Sequence, residues 1–130
     1  MAINEFMEKF AIEIGGQYSE YDTNKSVLIV PLSQNRFQAV LGNERSENGR
    51  KIVQFTSKVC ACHPDFDLKE LLQAQLNFYY TKFFIEEDII RMMASAISDD
   101  LSDETLKEMI LEVAHAADEW EDKLTGQDVN

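Results

Sequence analysis

Apolar residues recur along this chain with two different periods, and the points where the period changes divide it into elements. Over residues 3–14, Ile3, Phe6, Met7, Phe10, Ala11 and Ile14 fall three and four apart, the spacing of one helix face, and Gly15-Gly16 follow where a helix stops. From residue 25 the pattern changes. KSVLIVPLS (25–33), RFQAVLGNE (36–44) and KIVQFTSKVCA (51–61) are short runs rich in Val, Ile and Phe, separated by Ser-Gln-Asn and by the polar run Glu44 to Arg50. They predict three antiparallel strands in a meander.

Pro64 ends the third strand, because it cannot donate to a ladder. Asp67 with Glu70 three residues later has the form of a capping box, opening a helix of about ten residues that carries Leu68, Leu71, Leu72, Gln75 and Leu76. Residues 78–98, FYYTKFFIEEDIIRMMASAIS, are apolar too densely for either period to stand clear. The aromatics and isoleucines favour two strands, 78–86 and 89–97, joined at Glu86-Glu87-Asp88. A continuous helix is the competing reading, since MMASA is good helix material. Then Ser102 stands as an N-cap between Leu101 and Leu106, the spacing of a hydrophobic staple, with Asp103 and Glu104 at the positive end of the helix dipole. Leu106, Met109, Ile110, Val113, Ala117, Trp120 and Leu124 hold one face from there to Gly126. The order helix, three strands, helix, two strands, helix predicts an α+β domain over residues 1–126, with a largely antiparallel five-stranded sheet packed with helices, and a frayed tail at 127–130.

Charge narrows the range of partners. The chain has 24 acidic and 12 basic residues in 130, a formal net charge of -12. Such a surface repels phosphate backbones and anionic lipid, so nucleic acid and membranes are not expected as direct partners and basic ones are favoured. Eleven of the acids lie between Ser98 and Asn130, where the only cations are Lys107 and Lys123. No apolar run reaches the roughly 20 residues that cross a bilayer. MAINEFMEKF carries acids where a signal peptide carries Lys or Arg, so the expected compartment is the cytoplasm.

The candidate chemistry centres on VCACHPDF (59–66), which brings Cys60, Cys62 and His63 within four positions. If Val53, Phe55, Val59 and Ala61 face the core, the two thiols share the opposite face with Gln54, Thr56 and Lys58. A zinc centre needs about four ligands, or three and a water. The only other histidine is His115, on the last helix. The cluster therefore reads as a strand end, and neither a metal nor a cofactor is expected. There is no Gly-x-Ser-x-Gly, no Gly-rich phosphate loop and no His-Glu-x-x-His, so no catalytic residue is assigned and an enzyme is not expected. The pattern at 78–85 is more informative. Phe78, Tyr80 and Phe84 alternate with Tyr79, Phe83 and Ile85, so a strand here carries large apolar groups on both faces, one of which needs a partner.

The stretch LLQAQLNFYYTKFFIEEDIIRMMASAISDDLSDETLKEMILEVAHAADEWEDKL (71–124) resembles the second half of the type III secretion chaperone-like proteins. It has their Leu-rich helix ending near an Asn, an aromatic strand, an acidic turn, a second strand, and an L-S-x-E-x-L opening to a final helix. The first half is similar in the order of its elements. That family includes the small acidic Tir-type effector chaperones and the bacterial YbjN-like proteins. The resemblance implies a non-enzymatic protein-binding module, a homodimer that offers apolar grooves or sheet edges to an extended partner segment. Candidate contacts are Phe37, Phe55, Phe78, Tyr80, Phe84, Ile90 and Met92. The alternative it implies is a YbjN-like regulatory or stress-related protein not linked to secretion.

Overall fold

A computed structural model describes residues 2–126. Helix α1 spans Ile3–Ile14 and is ended by Gly15 at φ 70°, a left-handed conformation that costs glycine nothing. Six strands follow, interrupted by one helix: β1 (Gln17–Asp22), β2 (Lys25–Pro31), β3 (Phe37–Glu47), β4 (Arg50–Ala61), helix α2 (Leu68–Ala74), β5 (Lys82–Glu86) and β6 (Ile89–Ile97). Helix α3 (Asp103–Thr125) closes the described fold. The sheet is antiparallel throughout, in the order β1-β2-β3-β4-β6-β5. Strand β6 therefore returns to lie between β4 and β5, and β5 forms an edge.

The sheet has six strands where the sequence predicts five. The additional one, β1, reads QYSEYD and has no buried residue, so it lacks the alternation by which strands are recognised. Pairing with β2 forms it, Gln17 opposite Ile29 and Ser19 opposite Val27. The dense segment 78–98 resolves as two strands and not as a helix. Its first strand begins only at Lys82, because residues 78–81 are held off the sheet by Glu112 of α3.

Helices α1 and α3 lie side by side on one face. Met7 and Phe10 of α1 and Leu106, Ile110, Val113 and Ala117 of α3 meet Leu28, Val30, Val40, Val53, Phe55, Ile90 and Met92 of the sheet, all of them buried. Gly42 of β3 lets α1 approach, since a Cβ there would sit 2.9 Å from the Met7 Cε atom. Ser102 caps α3 by accepting the Thr105 N–H at 3.2 Å, with Leu106 fully buried beneath it. Arg36, after β2, donates to Asp118 Oδ2 of α3 from Nε at 3.1 Å and Nη2 at 2.8 Å, tying the meander to the last helix. Among the described residues no helix is long and apolar enough to cross a membrane.

Candidate partner-binding site

Helix α2 starts where Asp67 accepts the Lys69 and Glu70 N–H groups at 3.1 and 3.3 Å, and it runs into a short 3-10 turn at Gln75–Asn77. It is too short to bury four leucines. Leu71 turns inward, while Leu68, Leu72 and Leu76 remain exposed, Leu76 almost fully. Beside it runs the edge strand β5, with Ile85 half exposed. Phe83 is anchored from behind by an edge-to-face contact with Trp120 of α3 at 5.3 Å and by Phe78 at 6.0 Å. Between α2 and β5 lies an apolar groove of about 270 Å³, lined by Leu68, Leu71, Leu72, Phe83, Phe84, Ile85 and Ile90. Every lining side chain is a hydrocarbon. The groove can hold apolar side chains and offers no group for acid-base or nucleophilic work.

One carboxylate shapes the approach to this groove. Glu112 accepts the Tyr79 and Tyr80 N–H groups, both at 2.8 Å, and the Thr81 hydroxyl. Burial pushes its pKa up, but these hydrogen bonds outweigh that and hold it below the usual carboxylate range. The strap 78–81 is thereby pinned to α3, leaving Tyr79 about 91% exposed beside it. Tyr80 donates its hydroxyl to Glu108 at 2.7 Å, and that bond leads the causes that raise its pKa.

The residues singled out from the sequence divide between surface and core. Phe84 lines the groove. Phe78 is partly buried behind it, and Tyr80 stands on the strap. Phe37 is half exposed at the far end of the sheet, beside Gly15, Gly16 and Ile29. Phe55 and Met92 are fully buried, because their positions on β4 and β6 face the helices, and they are core residues rather than surface contacts. Ile90 is fully buried as well and forms the groove's floor. Of the groove's lining, Leu68, Leu71, Leu72, Phe83 and Ile85 were not among the contacts read from the sequence. The spacing 68, 71, 72 and 76 is that of a single helix face, which reads as a buried stripe, and nothing in it shows that α2 ends at Ala74 and leaves most of that stripe exposed.

The cysteine cluster is rearranged by an irregularity in β4. Lys58 pairs with Arg91 and Cys60 with Ile90, so Val59 is an extra residue in the ladder. Val59 is buried as predicted, but in consequence of the extra residue, Cys60 is buried and Ala61 exposed, the reverse of what strict alternation predicts for those two positions. Burial, and next the nearby Glu121 carboxylate, push the Cys60 thiol up, away from thiolate chemistry. His63 Nδ1 accepts the Asp65 N–H at 3.0 Å in the turn into α2. Among the described residues no group of three or more His, Cys, Asp or Glu is placed to hold a metal.

No protein-family model matches this sequence, and neither does any curated protein. Solved structures do. A chain of the HopA1–SchA chaperone–effector complex superposes with a TM-score of 0.61 at 15% identity, covering 92% of this chain and 96% of that one. A chain of the ExsC–ExsE complex superposes with a TM-score of 0.53 at 13% identity, covering 92% of this chain and 90% of that one. The protein therefore has the type III secretion chaperone-like fold, an α+β architecture realised here with six antiparallel strands and three helices.

Proposed function

We propose that this protein is a non-enzymatic binding module of the secretion-chaperone kind, which holds an extended segment of a partner protein. The observation that carries the reading is the groove between α2 and β5, an apolar trough left uncovered beside a free sheet edge. A soluble surface does not leave contiguous leucine and isoleucine side chains in water without a use for them. The two structural neighbours were solved as complexes, one of them named as chaperone with effector. The work is passive. Apolar side chains of the partner fill the groove, and its backbone can add to the outer edge of β5, whose outward N–H and C=O groups no strand among the described residues takes up. The working unit is a homodimer in the cytoplasm, so that two grooves act on one partner chain.

Sedimentation of the wild-type chain and of Leu68→Asp/Leu72→Asp tests the dimer and the groove together. The reading expects a wild-type mass of twice the 14.9 kDa chain, and a variant that folds with the same helix and strand content but no longer holds a partner segment. A monomeric wild type refutes the dimer. A variant that still binds refutes the groove.

A further inference from the structure

All three helices lie on one side of the sheet, and among the described residues nothing forms a covering layer on the opposite face. Its charge runs against that of the protein. The outward positions of the six strands carry Lys25, Arg45, Arg50, Lys58, Lys82 and Arg91, half of the chain's 12 cations, against the three carboxylates Asp22, Glu47 and Glu86, of which Asp22 stands opposite Lys25 while Glu47 and Glu86 pair with Arg45 and Arg91. The rest of the chain holds the other six cations and the other 21 acids of the 24. The excess of acid thus lies off this face, and the open sheet face is net basic. A layer of helices about 10 Å thick separates it from the acids of α3, more than one screening length at physiological salt.

The face is also apolar at its centre. Val27, Leu41, Thr56 and Met93 stand opposite one another in register across four strands. That row is about 14 Å long, three strand spacings. Lys25 heads the neighbouring row on one side, through Asn43 and Gln54, and Lys58 and Arg91 face each other in the row on the other side. Lys82 ends the apolar row itself. Lys25, Leu41, Thr56, Phe84 and Arg91, with the single carboxylate Glu86, line a hollow of about 360 Å³.

We infer that this face is a second docking surface, and that its occupant is an amphipathic helix of a partner protein whose apolar stripe is flanked by Asp and Glu. The inner strands already pair on both sides, so an extended segment finds no backbone partner here, whereas a helix satisfies its own hydrogen bonds and needs only side-chain contacts. A row of about 14 Å matches between two and three helical turns. A second copy placed face to face would set the six cations against their own images. A second copy placed head to tail would offer α3, whose apolar stripe is already buried in its own core. Nucleic acid would meet these cations too, but a long polyanion cannot avoid the acidic remainder of the molecule. The surface shares Phe84 with the α2 groove but neither Lys25 nor Arg91, so a test made at those two cations can fail without touching that reading.

The test is fluorescence anisotropy of the full chain with three labelled probes. They are a helical peptide of about 14 residues with Leu at i, i+3, i+4 and i+7 flanked by Glu, the same peptide with Lys for Glu, and a 12-nucleotide single-stranded oligonucleotide. The Glu peptide binds about tenfold or more tightly than the Lys peptide, and the preference shrinks as salt is raised. In Lys25→Glu/Arg91→Glu the preference inverts, a result that mere loss of folding cannot give. Lys9→Glu, on α1, leaves it unchanged. Equal binding of the two peptides, no inversion in the double variant, or binding of the oligonucleotide alone would overturn the inference. So would self-association that the double variant abolishes.

Discussion

At the scale of single residues, the most consequential contacts are those made by buried carboxylates. Asp118 is 95% buried in effect, with 5% of its surface exposed, and Arg36 neutralises it. Arg36→Ala should lower stability by about 2 kcal/mol, read from urea unfolding, because it leaves a desolvated charge without its guanidinium. Asp118→Asn, which keeps a hydrogen-bond acceptor and removes the charge, should cost less. If the two variants unfold at the same urea concentration, the ion pair is not what holds β2 to α3. Glu112 gives a pH signature. Its folded pKa lies below the ordinary value of 4.5, so its contribution is present in full above that value and is lost as pH falls through the folded pKa. The protection of the Tyr79 and Tyr80 amides, relative to their intrinsic exchange rates, should fall on acidification below pH 4.5, ahead of the core, and in Glu112→Ala it should be lost at neutral pH. Protection that persists at low pH would contradict this reading of the strap.

At the scale of elements, the turn between β5 and β6 departs from what turn chemistry favours. Glu87 and Asp88 have φ of 54° and 60°, whereas the corresponding β3–β4 turn uses Asn48 and Gly49 at 54° and 75°. Both are two-residue hairpins, and Asn-Gly is the pair suited to that geometry. Glu87→Asn/Asp88→Gly should therefore stabilise the protein by roughly 1 kcal/mol, seen as a higher thermal midpoint. A lower midpoint would show that the acidic turn makes a contact worth more than its strain. Gly42→Val should cost about 2 kcal/mol by pressing α1 off β3 at Met7.

These elements also show where the sequence was legible. α1 and α3 could be read to within a residue or two, because a three-and-four apolar period and a Gly stop coincide with a buried stripe in each. β2, β3 and β4 alternate because one face is covered and the other is not. β1 escaped notice since pairing alone makes it a strand, with no burial to leave a pattern. The extra residue at Val59 turned Cys60 inward, which no period predicts. The groove was half legible. The two-sided apolar character of 78–85 pointed to the β5 region, but the leucines that face it across the groove were absorbed into an ordinary amphipathic helix.

At the scale of the whole molecule, burial and charge divide the surface into unlike parts. The helical layer is acidic, the open sheet face is basic with an apolar centre, and the β5 edge carries the groove. A protein-binding role needs such division more than it needs any reactive group, and the candidate site has none. The account's central claim is that the α2–β5 groove holds a partner protein. Its most direct test is affinity capture from native lysate by the wild-type chain and by Leu68→Asp/Leu72→Asp in parallel, with circular dichroism showing both folded. The account predicts one dominant protein retained by the wild type and lost by the variant. Retention of the same protein by both would contradict it.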